Sequence, residues 1–155
     1  MQSPFQAAAG VTNLCQVLPN LITGGQPTAA HLEALKAAGV TVILDTRDPM
    51  EPRPFDEPSL VRQLGMAYIN VPIVTGRQTD AELDQIVAAL REAREQQVFF
   101  HCASGNRVGG ALIPYLMLDV GMEEEDAVSE AMRVGMRSAE LMEWGLTYAR
   151  RQSLG

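Results

Sequence analysis

The run QVFFHCASGNRVGGALIPYL, Gln97 to Leu116, limits the fold more than any other stretch: a short apolar strand pattern drops through a turn of small residues straight into a helix pattern. A strand that feeds a helix so tightly is a unit of α/β architecture, and the turn at its end is where open α/β sheets gather their ligands. The rest of the chain repeats the alternation. NLCQVLPNLITGG reads as two short strands around Pro19-Asn20, an edge hairpin. Thr28 caps a helix along TAAHLEALKAAG, in which Leu32, Leu35 and Ala38 share a face and Gly39 is the stop. VTVILDT from Val40 is continuously apolar, as a strand covered on both faces should be.

PMEPRPFDEP carries four prolines and is expected to be loop, followed by a short helix over SLVRQLG and a strand in MAYINVPI. Thr79 and Glu82 form a capping box, and Leu83, Ile86, Val87 and Leu90 follow at helical spacing, predicting a helix over residues 79 to 95. Three further helices are expected, from Arg107 to Val120, from Glu123 to Val134 and from Ser138 to Arg151, the second opened by four acids that suit its dipole. With no repeat, low-complexity tract or dividing linker, residues 1–155 form one expected domain of α/β class with helices covering its sheet. Residues 1–12 are expected to be a flexible N-terminal segment.

A hydrophobic share of 46% is ordinary for one globular domain. The net charge of −7 opposes broad attraction to nucleic acid or an anionic membrane, while leaving room for a local site that takes a small anion. No apolar run approaches the roughly 20 residues of a membrane span. The start MQSPFQAAAG lacks the basic-then-apolar layout of a signal peptide, so a cytoplasmic location is expected, with an exported protein already trimmed as the alternative. Cys15 and Cys102 read as free thiols, with one bridge open to them if the protein is exported. Oligomeric state is not legible.

The turn HCASGNRVGG has a chemistry of its own. Several backbone N–H groups converge where a strand enters a helix, beside the positive end of the helix dipole, and attract an anion. Ala103, Ser104, Gly105 and Asn106 leave room for close approach, and Gly109-Gly110 keep the first helical turn free of bulk. Thiols at helix starts beside arginine ionise more readily than free cysteine, which makes Cys102 a candidate nucleophile. Arg107 carries a planar fork suited to two oxygens of a phosphate, for binding and for stabilising transition-state charge. His101 either hydrogen-bonds the loop and helps hold the sulfur or is an ordinary strand-end histidine. His31 and Cys15 read as structural. No metal is expected, since His101 and Cys102 are adjacent and no second cluster of ligands supports them.

HCASGNR resembles the phosphate-binding loop of the cysteine-dependent protein tyrosine phosphatase superfamily. GGQPT at Gly24 to Thr28, AGVTVILDTRD at Ala38 to Asp48 and GMAYINVPI at Gly65 to Ile73 resemble the bacterial phosphatase-like family that also occurs as a domain of beta-lactamase-hydrolase-like proteins. The resemblance spans roughly residues 17 to 121. It implies a dual-specificity-phosphatase-like fold with a central, mostly parallel sheet of about four to five strands. It also implies a phosphocysteine intermediate on Cys102, Arg107 as the phosphoryl clamp, residues 103–106 and Val108 around the phosphate, and no cofactor.

Three departures qualify it. Four residues separate Cys102 from Arg107 where the general signature has five, a spacing that also resembles the loop of rhodanese-type sulfurtransferases. Val108 stands where the superfamily usually has a hydroxyl that helps the thiolate leave, with Ser104 as a substitute. The related enzymes carry an aspartate general acid about thirty residues before the cysteine; here Asn70 falls in that region and Asp80 is the first aspartate after it, with Asp84 further on. Asp80 is the candidate acid, with a first-turn dipole role as its plain alternative. Asp45, Arg47 and Asp48 end a neighbouring strand and are candidates for the rim, a structural ion pair being the equal alternative. The expected function is hydrolysis of phosphotyrosine-like or other small phosphate esters; the rivals are a sulfurtransferase with a Cys102 persulfide and a non-catalytic module that binds phosphate or another oxyanion.

Overall fold

The computed structural model describes residues 2–154. Among these residues the apolar runs become five strands: β1 (Cys15–Leu18), β2 (Leu21–Gly24), β3 (Val40–Asp45), β4 (Ala67–Asn70) and β5 (Gln97–His101). They hydrogen-bond in the order β1-β2-β5-β3-β4, with β1 antiparallel to β2 and every other pairing parallel. β5, the strand that enters the cysteine turn, is therefore central, and β2, β3 and β4 all end at the same edge of the sheet. That common edge is where the functional loops must meet.

Seven helices of the described residues surround the sheet: α1 (Pro4–Ala7), α2 (Ala29–Ala37), α3 (Glu57–Gln63), α4 (Asp80–Glu92), α5 (Asn106–Leu118), α6 (Glu124–Val134) and α7 (Ala139–Leu154). Alternation along the strands explains the two cores. Val42, Leu44, Val98 and Phe100 turn to one face and pack with Leu83, Ile86, Leu112 and Leu141. Ile22, Ile43 and Phe99 turn to the other and pack with Leu32, Leu35, Val61 and Ala8, joined by Val40 across a register shift between Val40 and Val42. Phe99 and Phe100 are both fully buried, a stabilisation of roughly 1.5–3 kcal/mol each. Consecutive apolar residues on one strand thus serve opposite sides of the molecule.

Several expectations change in detail. The N-terminal segment is not a loose tail: Ser3 and Gln6 form a capping box on α1, and Ala7, Ala8 and Val11 are buried in the second core. His31 ties that segment down. It accepts from Thr28 N at Nδ1, which leaves Nε2–H to donate to Ala9 O at 2.8 Å. The proline-rich stretch also ends sooner than expected, because Asp56 caps α3 and Pro58 sits in its first turn, where a missing N–H costs nothing. α4 stops at Glu92 rather than residue 95, just after the apolar repeat runs out at Leu90. Among the described residues no helix is long and apolar enough to cross a membrane.

The glycines of α5 have another purpose than the one expected. A Cβ at Gly109 would lie 2.7 Å from Ala131 O and from Met136 Cβ, and one at Gly110 would lie 2.9 Å from Leu141 Cβ. They let α6 and α7 close onto α5 rather than clear space for an anion. Pro114, inside α5, has no N–H to offer Gly110 O, and α7 brings Gly145 against that carbonyl, where a Cβ would lie 2.5 Å away.

Candidate active site

The turn after β5 folds around the sulfur of Cys102. Gly105 caps α5 at φ +97, a left-handed conformation open to glycine at little cost, and turns its N–H to within 3.0 Å of Cys102 Sγ. A Cβ there would also meet Val134 O at 2.5 Å, so the backbone has no room for a side chain. The outward carbonyls are tied down: Ala103 O accepts from Gln26 N at 3.0 Å and Ser104 O from Asn13 Nδ2 at 2.7 Å. With the carbonyls of Ala103 and Ser104 held outside, the turn keeps the Gly105 N–H on the side of the sulfur.

Asn106 Oδ1 accepts from Arg137 N at 2.7 Å and so braces the turn against the α6–α7 connection. Val108 is fully buried in the core of α5, so its side chain is packing, with no hydroxyl to contribute. Ser104 is exposed on the turn. Cys15, also buried, donates its thiol to Arg133 O at 3.3 Å, and burial pushes that thiol up from its ordinary value. Neither cysteine is in a disulfide.

His101 is buried completely between two carboxylates. Nε2 pairs with Glu57 Oε2 at 2.6 Å, while Nδ1 faces Cys102 O at 3.1 Å and lies 3.9 Å from Asp45 Oδ1. Burial opposes the charge on each partner, but their mutual hydrogen bond and attraction outweigh it: His101 is raised and Glu57 lowered, a charged pair. Asp45, Glu57 and His101 place donor atoms within 4.8 Å of one another, the spacing of a metal site. Those atoms already have partners. Asp45 Oδ2 accepts from Tyr68 Oη at 2.6 Å and Arg53 Nη2 at 3.2 Å, its Oδ1 takes Arg47 N, and Glu57 Oε1 takes Gln26 Nε2 at 2.7 Å. Burial and that bond to Asp45 push the Tyr68 hydroxyl well above its ordinary value.

Asp45 therefore leaves the rim: it is fully buried as an ion-pair anchor under the loops. Arg47 is buried as well, its Nη2 donating to Pro52 O at 2.6 Å and its Nη1 to Gln26 Oε1. Asp48 is half-exposed and bonds Met50 N. Asp80 accepts from Arg151 Nη2 at 2.9 Å, and none of its hydrogen bonds reaches Cys102 or Arg107. Asp84 takes the hydroxyl of Tyr148.

The residue missed by sequence reasoning is Glu51. Arg107 Nη1 donates to its Oε2 at 2.6 Å and Nη2 to its Oε1 at 3.0 Å, a two-pronged contact across 56 residues of sequence. Arg107 Nη1 also reaches Ile73 O, at 3.2 Å, in the segment after β4. The hydrogen bond from Arg107, helped by Asp48 N–H and by the charge of Arg47, holds the Glu51 carboxyl at about 2 despite partial burial. Burial works against the charge on Arg107, yet Glu51 and the nearby sulfur of Cys102 keep it above its ordinary value. The only sequence hint was the four-residue step from Arg47 to Glu51, which in this loop places a 3.4 Å ion pair.

A family model described as a DSP-PTPase phosphatase fused to NAD+ kinase matches residues 14–144. No curated protein sequence matches the chain. Among solved structures, a Shewanella putrefaciens protein of the DUF442 group superposes with a TM-score of 0.80 at 20% identity, over 95% of this chain and 97% of its own. The cysteine-to-serine form of TpbA from P. aeruginosa, in complex with phosphotyrosine, gives 0.72 at 19% identity over 92% and 91%. The core catalytic domain of an S. cerevisiae PP-IP phosphatase, in complex with citrate, gives 0.76 at 15% over 93% and 92%.

Proposed function

Because this chain belongs to the family of dual-specificity-type phosphatases described as fused to NAD+ kinase, we propose that it hydrolyses phosphate monoesters through Cys102. The observation that carries the reading is the N–H of Gly105 set 3.0 Å from the sulfur in a turn whose next turn of helix brings Arg107. Cys102 Sγ attacks phosphorus, and the bond from phosphorus to the ester oxygen breaks. The leaving oxygen departs with the electron pair and takes a proton from solvent. Water then attacks phosphorus, the sulfur leaves as thiolate, and inorganic phosphate is released with the proton of the water passing to solvent. In this reading the N–H of Gly105, its neighbours in the turn and the guanidinium of Arg107 take up the charge that accumulates on the phosphoryl oxygens.

Asp80 spends one oxygen on Arg151, and the segment between β4 and α4 holds no other acid, so the reading favours esters whose leaving group departs readily. Aryl phosphates, phosphotyrosine among them, are of that kind, and phosphotyrosine is the ligand of the TpbA complex. The paired assay is aryl-phosphate hydrolysis from mildly acidic to neutral pH, alongside thiosulfate-to-cyanide sulfur transfer, for wild type and Cys102→Ser. Phosphate release that depends on Cys102 is the expected result. Thiocyanate without phosphate would move the chemistry to a persulfide, and silence in both would leave an oxyanion-binding role.

A further inference from the structure

We propose that Asn13 is a positioning residue for this reaction: by holding the carbonyl of Ser104 from outside the turn, it keeps the N–H of Gly105 directed at Cys102 and at the phosphoryl group the sulfur attacks. The proposal rests on the phosphatase reading of the Cys102 turn. Ser104 O and Gly105 N belong to one planar, trans peptide group, so they point in opposite directions and can only turn together. Asn13 Nδ2 donates to the oxygen at 2.7 Å, and the nitrogen at the other end lies 3.0 Å from Cys102 Sγ. A side chain 91 residues upstream of Ser104 therefore decides which pole of that peptide group the sulfur meets.

The orientation needs a hold because the alternative is open to the chain. Turning the group over would carry φ of Gly105 through roughly 180°, from +97 to about −80, an ordinary helical value. It would also aim a carbonyl oxygen at the sulfur in place of a donor. Ala103 O is held by a main-chain N–H, that of Gln26, whereas Ser104 O depends on the amide of Asn13.

Asn13 is placed for this task at a conformational cost. It is the one non-glycine residue with positive φ among the described residues, at +53, in the left-handed region that asparagine tolerates better than most. Its backbone is fixed on both sides: Thr12 O accepts from Gly25 N at 2.8 Å, and Cys15 opens β1 two residues on. Gly135 leaves space for the contact, since a Cβ there would lie 3.2 Å from Asn13 Nδ2 and 3.1 Å from Ser104 O. Asn13 is exposed, so water competes for the bond, and a hydrogen bond of that kind shifts an equilibrium by roughly two- to tenfold. An exposed amide on a left-handed backbone adds little to packing. What it adds is the direction of the Gly105 N–H.

Two variants separate the side chain from the backbone. Asn13→Gly keeps the left-handed conformation and removes the amide; Asn13→Asp keeps the shape but offers an ionised oxygen that cannot donate. On an aryl phosphate, Asn13→Gly is expected to lower kcat about three- to tenfold, with KM within about twofold and the thermal midpoint near wild type, because an aimed donor matters most where charge develops. Asn13→Asp should lose at least as much kcat and raise KM, since its charge repels a phosphate. A kcat within twofold of wild type in both variants would overturn the proposal. So would a loss in Asn13→Gly that comes with a higher KM and a lower midpoint, which would make Asn13 a residue of the fold. If Asn13→Gly does not fold, the isosteric Asn13→Asp carries the test through kcat.

A second readout needs no turnover: hydrogen–deuterium exchange at the Gly105 amide, resolved by NMR. In Asn13→Gly that amide should exchange at least about threefold faster while those of β5 keep their rates. Faster exchange throughout β5 would mean lost fold and would count against the proposal. Faster exchange confined to the turn, in a protein that hydrolyses no aryl phosphate, would uphold the hold of Asn13 on the turn and sink the phosphatase reading. Turnover in wild type with the Gly105 amide unaffected in the variant would do the reverse.

Discussion

Two loops meet at the same edge of the sheet, and they are built on opposite plans. The turn after β5 makes its site from main chain: glycine at a left-handed position, two carbonyls pinned outward and the glycine N–H turned to the sulfur, all within six residues. The loop after β3 makes its contribution from side chains: Arg47 reaches Gln26, 21 residues back, and Glu51 reaches Arg107, 56 residues on. A backbone site leaves a local signature, because the conformation itself demands certain residues. A side-chain network leaves almost none, because any residue of the right length and charge can arrive from elsewhere.

The largest effect separates chemistry from scaffolding. Cys102→Ser should lower turnover by more than about a thousandfold while the far-ultraviolet spectrum and thermal midpoint stay near wild type. A comparable loss of fold would mean the turn depends on the thiol for its structure, and the contrast between the two loops would blur.

Next comes the buried pair that anchors the second loop. Glu57→Gln should cost about 3–5 kcal/mol, read by chemical denaturation, because it strands His101 in a dry site. The pH dependence has a definite sign. Glu57 is lowered, so its contribution is present above its ordinary 4.5 and fades as pH falls through the folded value; His101 is raised, so its contribution is complete below 6.5 and fades as pH rises through the folded value. The gap between wild type and variant should be widest between about pH 4.5 and 6.5. A gap that keeps widening toward alkaline pH would show the pair to be uncharged.

Gly105→Ala follows, with an expected loss of about 1–3 kcal/mol from the left-handed backbone and the approach of Val134 O. Denaturation of the variant measures it. An unchanged midpoint would say the turn has more slack than its contacts imply. Smallest is Asp80→Asn, expected to change kcat on an aryl phosphate by less than about threefold, since the carboxylate is engaged with Arg151. A loss of ~10²- to 10⁴-fold would instead identify it as the proton donor and require that ion pair to open.

The difference between a backbone site and a side-chain network also decides which parts of the molecule are legible in the amino-acid sequence. The cysteine turn, the strand through VTVILD and the helix opened by Thr79 and Glu82 follow local rules of apolar period and capping, and they stand where those rules put them. Glu51 lies within a proline-rich stretch whose only readable property is that it cannot be regular, so neither its carboxylate nor its target is marked. Glu57 is hidden for the same reason: it falls in the same proline-rich stretch expected to be loop, and nothing nearby announces a histidine 44 residues on. Gly109 and Gly110 mislead in the other direction. Sitting beside an anion site they suggest room for a ligand, whereas their neighbours Ala131 and Leu141 come from helices whose placement only the tertiary fold decides.

The proline inside α5 has a consequence for motion. With no amide at residue 114 to bond Gly110 O, the helix that carries Arg107 lacks one rung of its ladder just past its first turn. The two halves of α5 are then coupled through the interlock with α6 and α7 more than through their own backbone. In hydrogen–deuterium exchange, the amides of residues 109–113 should open with the α6 and α7 contacts, while those beyond Pro114 follow the strands beneath them. The arginine of the cradle is in that sense mounted on the helical layer, and its cysteine on the sheet.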